Sequence, residues 1–116
     1  MKYVVLVIKA LLTLAFVAAG AAKIFGAEMM VQTFEQVGVG QWFRYVTGFI
    51  EIGGAALLWL PARQWLGAGL LMVTMVGATL AHFLVLGAAS GVPAIILGLL
   101  AAFVLFTHRD QLPLNA

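Results

Sequence analysis

No cysteine occurs anywhere in the 116 residues. Disulfides, thiol relays and cysteine-ligated metals are thereby excluded. Charge is almost as scarce, since Asp, Glu, Lys and Arg make up 9% of the chain against about 25% in a soluble domain. With 65% hydrophobic residues and a mean hydropathy of +1.15, the chain cannot cover its own surface with polar groups. It reads as an integral membrane protein of one domain, 1–116, too short for a separate soluble module. The pI near 9.4 rests on six Lys and Arg scattered among four acids. Nucleic acid is not an expected partner, because phosphate binding needs a basic stripe. His82 and His108 are too far apart to make a metal signature by themselves, and no metal site is expected.

What is present is a succession of apolar runs. The first extends from about Tyr3 to Phe25. Lys2 and the small residues Ala18–Ala22 give it some likeness to a signal peptide. Its length and the internal Lys9 instead predict a retained span. Gly26 to Gln41 is the longest polar stretch, and Met30, Phe34 and Val37 fall on one helical face within it. That spacing predicts a short amphipathic helix in the interface, closed by Gly38-Val39-Gly40, with an ordinary polar loop as the alternative. Further spans are predicted over 42–60, 65–87 and 92–107, broken at Pro61–Gln64 and Ala88–Gly91, with Pro93 in the first turn of the last. The expected fold is therefore all-α, a four-helix up-and-down membrane bundle with one interfacial helix between helices 1 and 2. Lys2, Arg63 and Arg109 collect on one side, which makes both termini cytoplasmic in a cell membrane, the inner membrane for a bacterial chain.

Glu51 is the anomaly. It sits near the middle of the second run, where a carboxylate costs roughly 2.5–3.5 kcal/mol on insertion scales. Something has to offset that cost. On the expected topology Glu51 is about 13 Å from the end of its span and His82 about 8 Å from the end of the third, at 1.5 Å per residue. Lys23 and Arg44 lie close to the same surface, so Lys23, Arg44, Glu51 and His82 fall in one half of the bilayer. Lys23 or Arg44 is the expected counter-charge for Glu51 and His82 the expected hydrogen-bond partner. An interfacial anchor is the alternative for Lys23 and Arg44, and a bond to a backbone carbonyl that for His82. These four form the candidate ligand-binding or buried polar cluster. Lys9, in the other half, is expected to extend its ammonium to the headgroups. Gly20, Gly48, Gly53 and Gly54 are the candidate helix-packing residues, since small side chains let backbones approach. A structural Glu51–Lys23 pair that fixes helix register is the plain alternative to a ligand site. No residue is assigned a catalytic role.

The motifs resemble one family. Ala19-Gly20-Ala21-Ala22-Lys23-Ile24 is similar to its first-helix motif, and Phe34-Glu35-Gln36-Val37-Gly38 to its linker. Gly48-Phe49-Ile50-Glu51-Ile52-Gly53-Gly54 through Leu58 resembles its G-x-x-E-hydrophobic-G-G signature, and Ala78 to His82 its third-helix segment. That family is DoxX/DoxX-like. Val39 departs from it, because many relatives carry Pro after the linker glycine. The resemblance implies a four-helix membrane protein and lands on Gly20, Lys23, Glu51 and His82. It implies no single activity: some relatives are subunits of a thiosulfate:quinone oxidoreductase, mycobacterial ones belong to a membrane complex handling oxidative and thiol stress, and distant animal ones act as chaperones or cargo receptors.

Three functions compete. The first is a subunit or anchor of a membrane redox complex, with a Lys/Glu/His pocket for a quinone-like or other small polar ligand. Lacking cysteine, an intramembrane His pair and a nucleotide loop, the chain is expected to carry no intrinsic cofactor; quinone is one candidate ligand, and a partner protein would carry the electrons. Enzymatic activity of the chain alone is not expected. The second is a non-enzymatic assembly factor, chaperone or scaffold docking partners on the bundle surface. The third is a minimal dimeric transporter, which would require a homo-oligomer. Small multidrug-resistance proteins share its length and single embedded acid, but place that acid in the first helix.

Overall fold

A computed structural model describes residues 2–87 and 91–111. Among these residues all regular structure is helical. The elements are α1 (Lys2–Phe25), α2 (Glu28–Val37), α3 (Trp42–Leu57), α4 (Gln64–Ala81) continued by a π-helical turn (His82–Leu86), α5 (Val92–Thr107), and a final 3-10 turn (Arg109–Gln111). The connection at Ala88–Ser90 and the tail beyond Gln111 lie outside the described residues.

Two of these helices, Lys2–Phe25 and Gln64–Leu86, are long and apolar enough to cross a membrane by themselves, while Val92–Thr107 is apolar but shorter. The second apolar run is helical over a shorter stretch than its composition extends. α3 stops at Leu57, and Leu58–Leu60 turn ahead of Pro61, which cannot donate to a continuing helix. Ala62 then takes a positive φ of 64° to reverse the chain into α4.

α1 packs on α3, α3 on α4, α4 on α5 and α5 back on α1. Between them lies one core: Leu12 and Phe16 of α1, Ala55 and the following Leu58 from α3, Ala68, Leu71 and Met75 of α4, and Ala94, Ala101 and Val104 of α5. The core residues of each helix recur at helical spacing, so each helix turns one stripe inward.

α2 is amphipathic as its spacing predicts. Phe34 is buried, Met30 and Val37 are half-buried, and Glu28, Gln32, Glu35 and Gln36 are exposed. The Phe34 ring tilts against Phe43 at a centroid distance of 6.1 Å. Gly38 ends the helix in the left-handed conformation, φ 83°, and its N–H donates to the Phe34 carbonyl. This is the usual glycine stop, since a side chain there would be strained.

Candidate functional site

The site begins with two glycines. A Cβ built on Gly20 would stand 2.8 Å from the Gly48 carbonyl oxygen, and one on Gly48 would stand 2.9 Å from the Gly20 carbonyl oxygen. α1 and α3 therefore cross backbone to backbone, at a separation that only two glycines permit. Each glycine is followed three residues later on the same face by an ionisable residue. Lys23 follows Gly20, and Glu51 follows Gly48.

The crossing brings those two side chains together. Lys23 Nζ meets Glu51 Oε1 at 2.5 Å, with 12% of the Lys23 side chain and 1% of the Glu51 side chain exposed. Glu51 is among the most completely buried large side chains of the protein. The contact is charge against charge: Oε1 has no donor in hydrogen-bond alignment, although the ammonium is close enough for one. In so dry a site both groups give up hydration, and each is the other's compensation for that loss.

Arg44 completes the cluster without touching the carboxylate. Its Nη1 donates to the Lys23 carbonyl, and its Nε donates to Gln41 Oε1 at 2.9 Å. Gln41 Nε2 in turn donates to the Val31 carbonyl at 2.9 Å, tying α2 into the same network. The guanidinium carbon lies 4.4 Å from the centre of the Tyr45 ring. With 5% exposure, Arg44 is a buried cation placed on the carbonyl end of α1, where both the free carbonyls and the helix dipole favour positive charge. Lys23 is thus the hub, since its carbonyl takes Arg44 while its ammonium takes Glu51.

This corrects the sequence-based expectation for Arg44 as counter-charge to Glu51. The seven-residue spacing does put both on the inner face of α3, but the long guanidinium arm extends to the end of α1 instead. His82 is also placed differently. It starts the π-helical turn, half-buried, with its Cβ 3.0 Å from where a Cβ on Gly91 would stand. No hydrogen bond or ion pair joins it to Glu51, whose charged partner among the described residues is Lys23. The π turn packs against α2, so His82 belongs to the α4–α5 connection.

Among the glycines, Gly54 packs against Leu71, and its carbonyl oxygen would lie 2.5 Å from a Cβ on Gly67. Gly53 takes no part, because a Cβ there meets nothing within 4 Å. It points away from both neighbouring helices, one residue off the packed stripe. Gly67 and Gln41 were not anticipated. The signal for Gln41 was its position three residues before Arg44, within reach on one helical turn. For Gly67 it was the Gly67-Ala68-Gly69 triplet early in α4.

A model of the DoxX-like family matches residues 7–105, the range within which Gly20, Lys23, Arg44, Gly48, Glu51 and His82 all lie. The chain belongs to the DoxX-like family. As a member it is a membrane protein, in accord with its apolar helices. Neither the curated proteins nor the solved structures offer a match to this DoxX-like chain.

The network makes a specific demand on Arg44. Lysine keeps the charge but has no fork with which to reach Gln41 and the Lys23 carbonyl together. Arg44→Lys is therefore expected to cost about 1.5–3 kcal/mol, the range for a hydrogen bond to a charged group. The check is the midpoint of detergent-induced unfolding in mixed micelles, and an unchanged midpoint would remove Arg44 from the network.

Proposed function

We propose that this DoxX-like chain spans the membrane four times and serves as a non-catalytic subunit or anchor of a larger membrane complex, with a redox complex as the leading candidate. In this reading the Lys23–Glu51 pair is a clasp that fixes α1 against α3, leaving the outer surface free for partners. The observation that carries it is closure: Glu51 is 1% exposed beneath a backbone-to-backbone glycine crossing. Among the described residues, neither the cavity of about 410 Å³ nor that of about 340 Å³ is lined by Lys23 or Glu51.

Four spans are supported by the apolar side chains turned outward on each long helix. Val7 and Leu14 on α1, Phe49 on α3, Val73 and Leu80 on α4, and Leu99 and Phe106 on α5 are all exposed. In water such a surface would drive association, whereas in hydrocarbon it is matched. The long axis of 41 Å is comparable with a bilayer of about 40–45 Å including headgroups.

Crosslinking in native membranes tests the proposal. A stable protein partner is expected, and it should survive Glu51→Gln, because the amide keeps the shape of the clasp. Failure to capture any partner, or redox turnover by the purified chain alone, would overturn it.

A second reading keeps a quinone-like or other small polar ligand at Lys23. It is favoured by the unaligned Glu51 Oε1 and by the 12% of Lys23 that remains accessible. Saturable quinone binding to the purified chain that vanishes in Glu51→Gln would favour this reading over the clasp.

A further inference from the structure

The opposite end of α1 carries a second group of cations, unrelated to the clasp. Lys9 lies about 21 Å from Lys23 along the helix at 1.5 Å per residue. Here α1 and α5 leave a cleft of about 410 Å³ lined by Lys2, Val5, Leu6, Lys9, Thr107 and His108. That volume lies within the range of small-molecule sites, about 300–1,000 Å³.

Three of the six lining residues are basic, and no carboxylate pairs with Lys2 or Lys9 among the described residues. Lys9 is held in place: its ammonium lies 5.0 Å from the centre of the Trp59 ring, and Trp59 Nε1 donates to Thr13 Oγ1 at 2.8 Å. His108 Nε2 is buried without a hydrogen-bond partner among the described residues. A buried polar atom without a partner is uncommon and calls for one. The nearby Arg109 guanidinium turns back over the Phe106 ring, 4.1 Å from its centre, and donates to the Phe106 carbonyl.

We propose that this cleft binds a phosphate-bearing anion, with Lys2 and Lys9 as the charges and His108 Nε2 as the donor, and that an acidic phospholipid headgroup is its source. The apolar floor of Val5 and Leu6 suits the glycerol and first methylenes of a lipid, and basic recesses between membrane helices are a recurring form of acidic-lipid site.

The charges around His108 give the site a pH dependence. Burial first, and then the Lys9 ammonium, push the His108 imidazole below its ordinary range, and Asp110 opposes them. With the cleft empty, His108 is neutral at pH 7. An anion between Lys9 and His108 cancels the Lys9 repulsion and favours the imidazolium. Binding therefore takes up a proton and tightens as pH falls through the His108 value of the complex.

The test is an NMR titration of the His108 ring in the full chain, reconstituted in nanodiscs of phosphatidylcholine with and without phosphatidylglycerol. The acidic lipid is expected to raise the His108 midpoint by about one pH unit or more, the effect of one opposite charge at contact range. Lys9→Gln experiences the same surface potential and should lose most of that lipid-dependent difference. Equal differences in the wild type and Lys9→Gln overturn the site, as does an unchanged midpoint in the wild type. Inorganic phosphate added to neutral discs separates the sources: a shift with phosphatidylglycerol alone supports the lipid, whereas a shift with inorganic phosphate alone overturns the lipid as source. Should Lys9→Gln fail to fold, native mass spectrometry of the wild-type chain decides. Retention of phosphatidylglycerol over phosphatidylcholine supports the site, and equal retention overturns it.

Discussion

Lys23→Met is expected to destabilise the protein by about 3 kcal/mol, the low end of the 3–5 kcal/mol seen when one partner of a buried ion pair is removed. The low end applies because an abandoned acid can become neutral, which is the cheaper buried form. Glu51→Met should cost less, because Lys23 is 12% exposed and its flexible arm can carry the ammonium toward polar surroundings, whereas Glu51, at 1%, has no such exit. The double replacement by Met should recover much of the loss, since two well-packed apolar residues of similar volume often equal or exceed a buried pair in stability. Detergent-induced unfolding of all four proteins in mixed micelles closes the cycle. A Lys23→Met midpoint within about 0.5 kcal/mol of wild type, the range of an ordinary surface change, would mean that the clasp contributes nothing.

Gly48→Ala should be nearly as damaging, by about 2–3 kcal/mol, within the usual cost of overpacking. One methyl group is sufficient because the obstacle is backbone: the new Cβ would lie 2.9 Å from the Gly20 carbonyl oxygen and 3.2 Å from Lys23 Cβ. Rotating a side chain cannot relieve that contact, so α1 and α3 must separate, and the separation also lengthens the Lys23–Glu51 contact. Gly53→Ala is the matched control. It lies five residues later in the same helix and faces open space, so only the helix preference of alanine acts, stabilising by up to about 1 kcal/mol. Opposite signs for these two substitutions, measured in the same micelles, are the expected result. Equal effects would show that the close crossing of α1 and α3 is not a feature of the protein in solution.

The comparison of Gly48 with Gly53 marks the boundary between what the amino-acid pattern contains and what the fold adds. Membrane character, the helical runs, the amphipathic face of α2 and the turn at Pro61 follow from composition and from 3.6-residue periodicity, because each depends on near neighbours in the chain. The anomaly of Glu51 was equally plain, since an acid in an apolar helix demands a partner wherever that helix packs. The identity of the partner was not determined in this way. Lys23, Arg44 and His82 all satisfied the depth estimate, which measures position along a helix and says nothing of rotation about it.

Rotation was decided by the Gly20–Gly48 crossing, in which each backbone fills the gap left by the other's missing side chain. That contact turns Lys23 onto Glu51, sends the longer Arg44 to the end of α1, and leaves His82 at the turn after α4. It also turns Gly53 outward while Gly54, its immediate neighbour, packs inward against α4. Adjacent residues in a helix differ by about 100° in direction, so a sequence can announce that glycines will be buried without saying which of two neighbours will be. The sequence by itself determined that Glu51, an acid in an apolar helix, needs a partner; the tertiary structure alone determined that the partner is Lys23, because only the packed helices fix which faces meet.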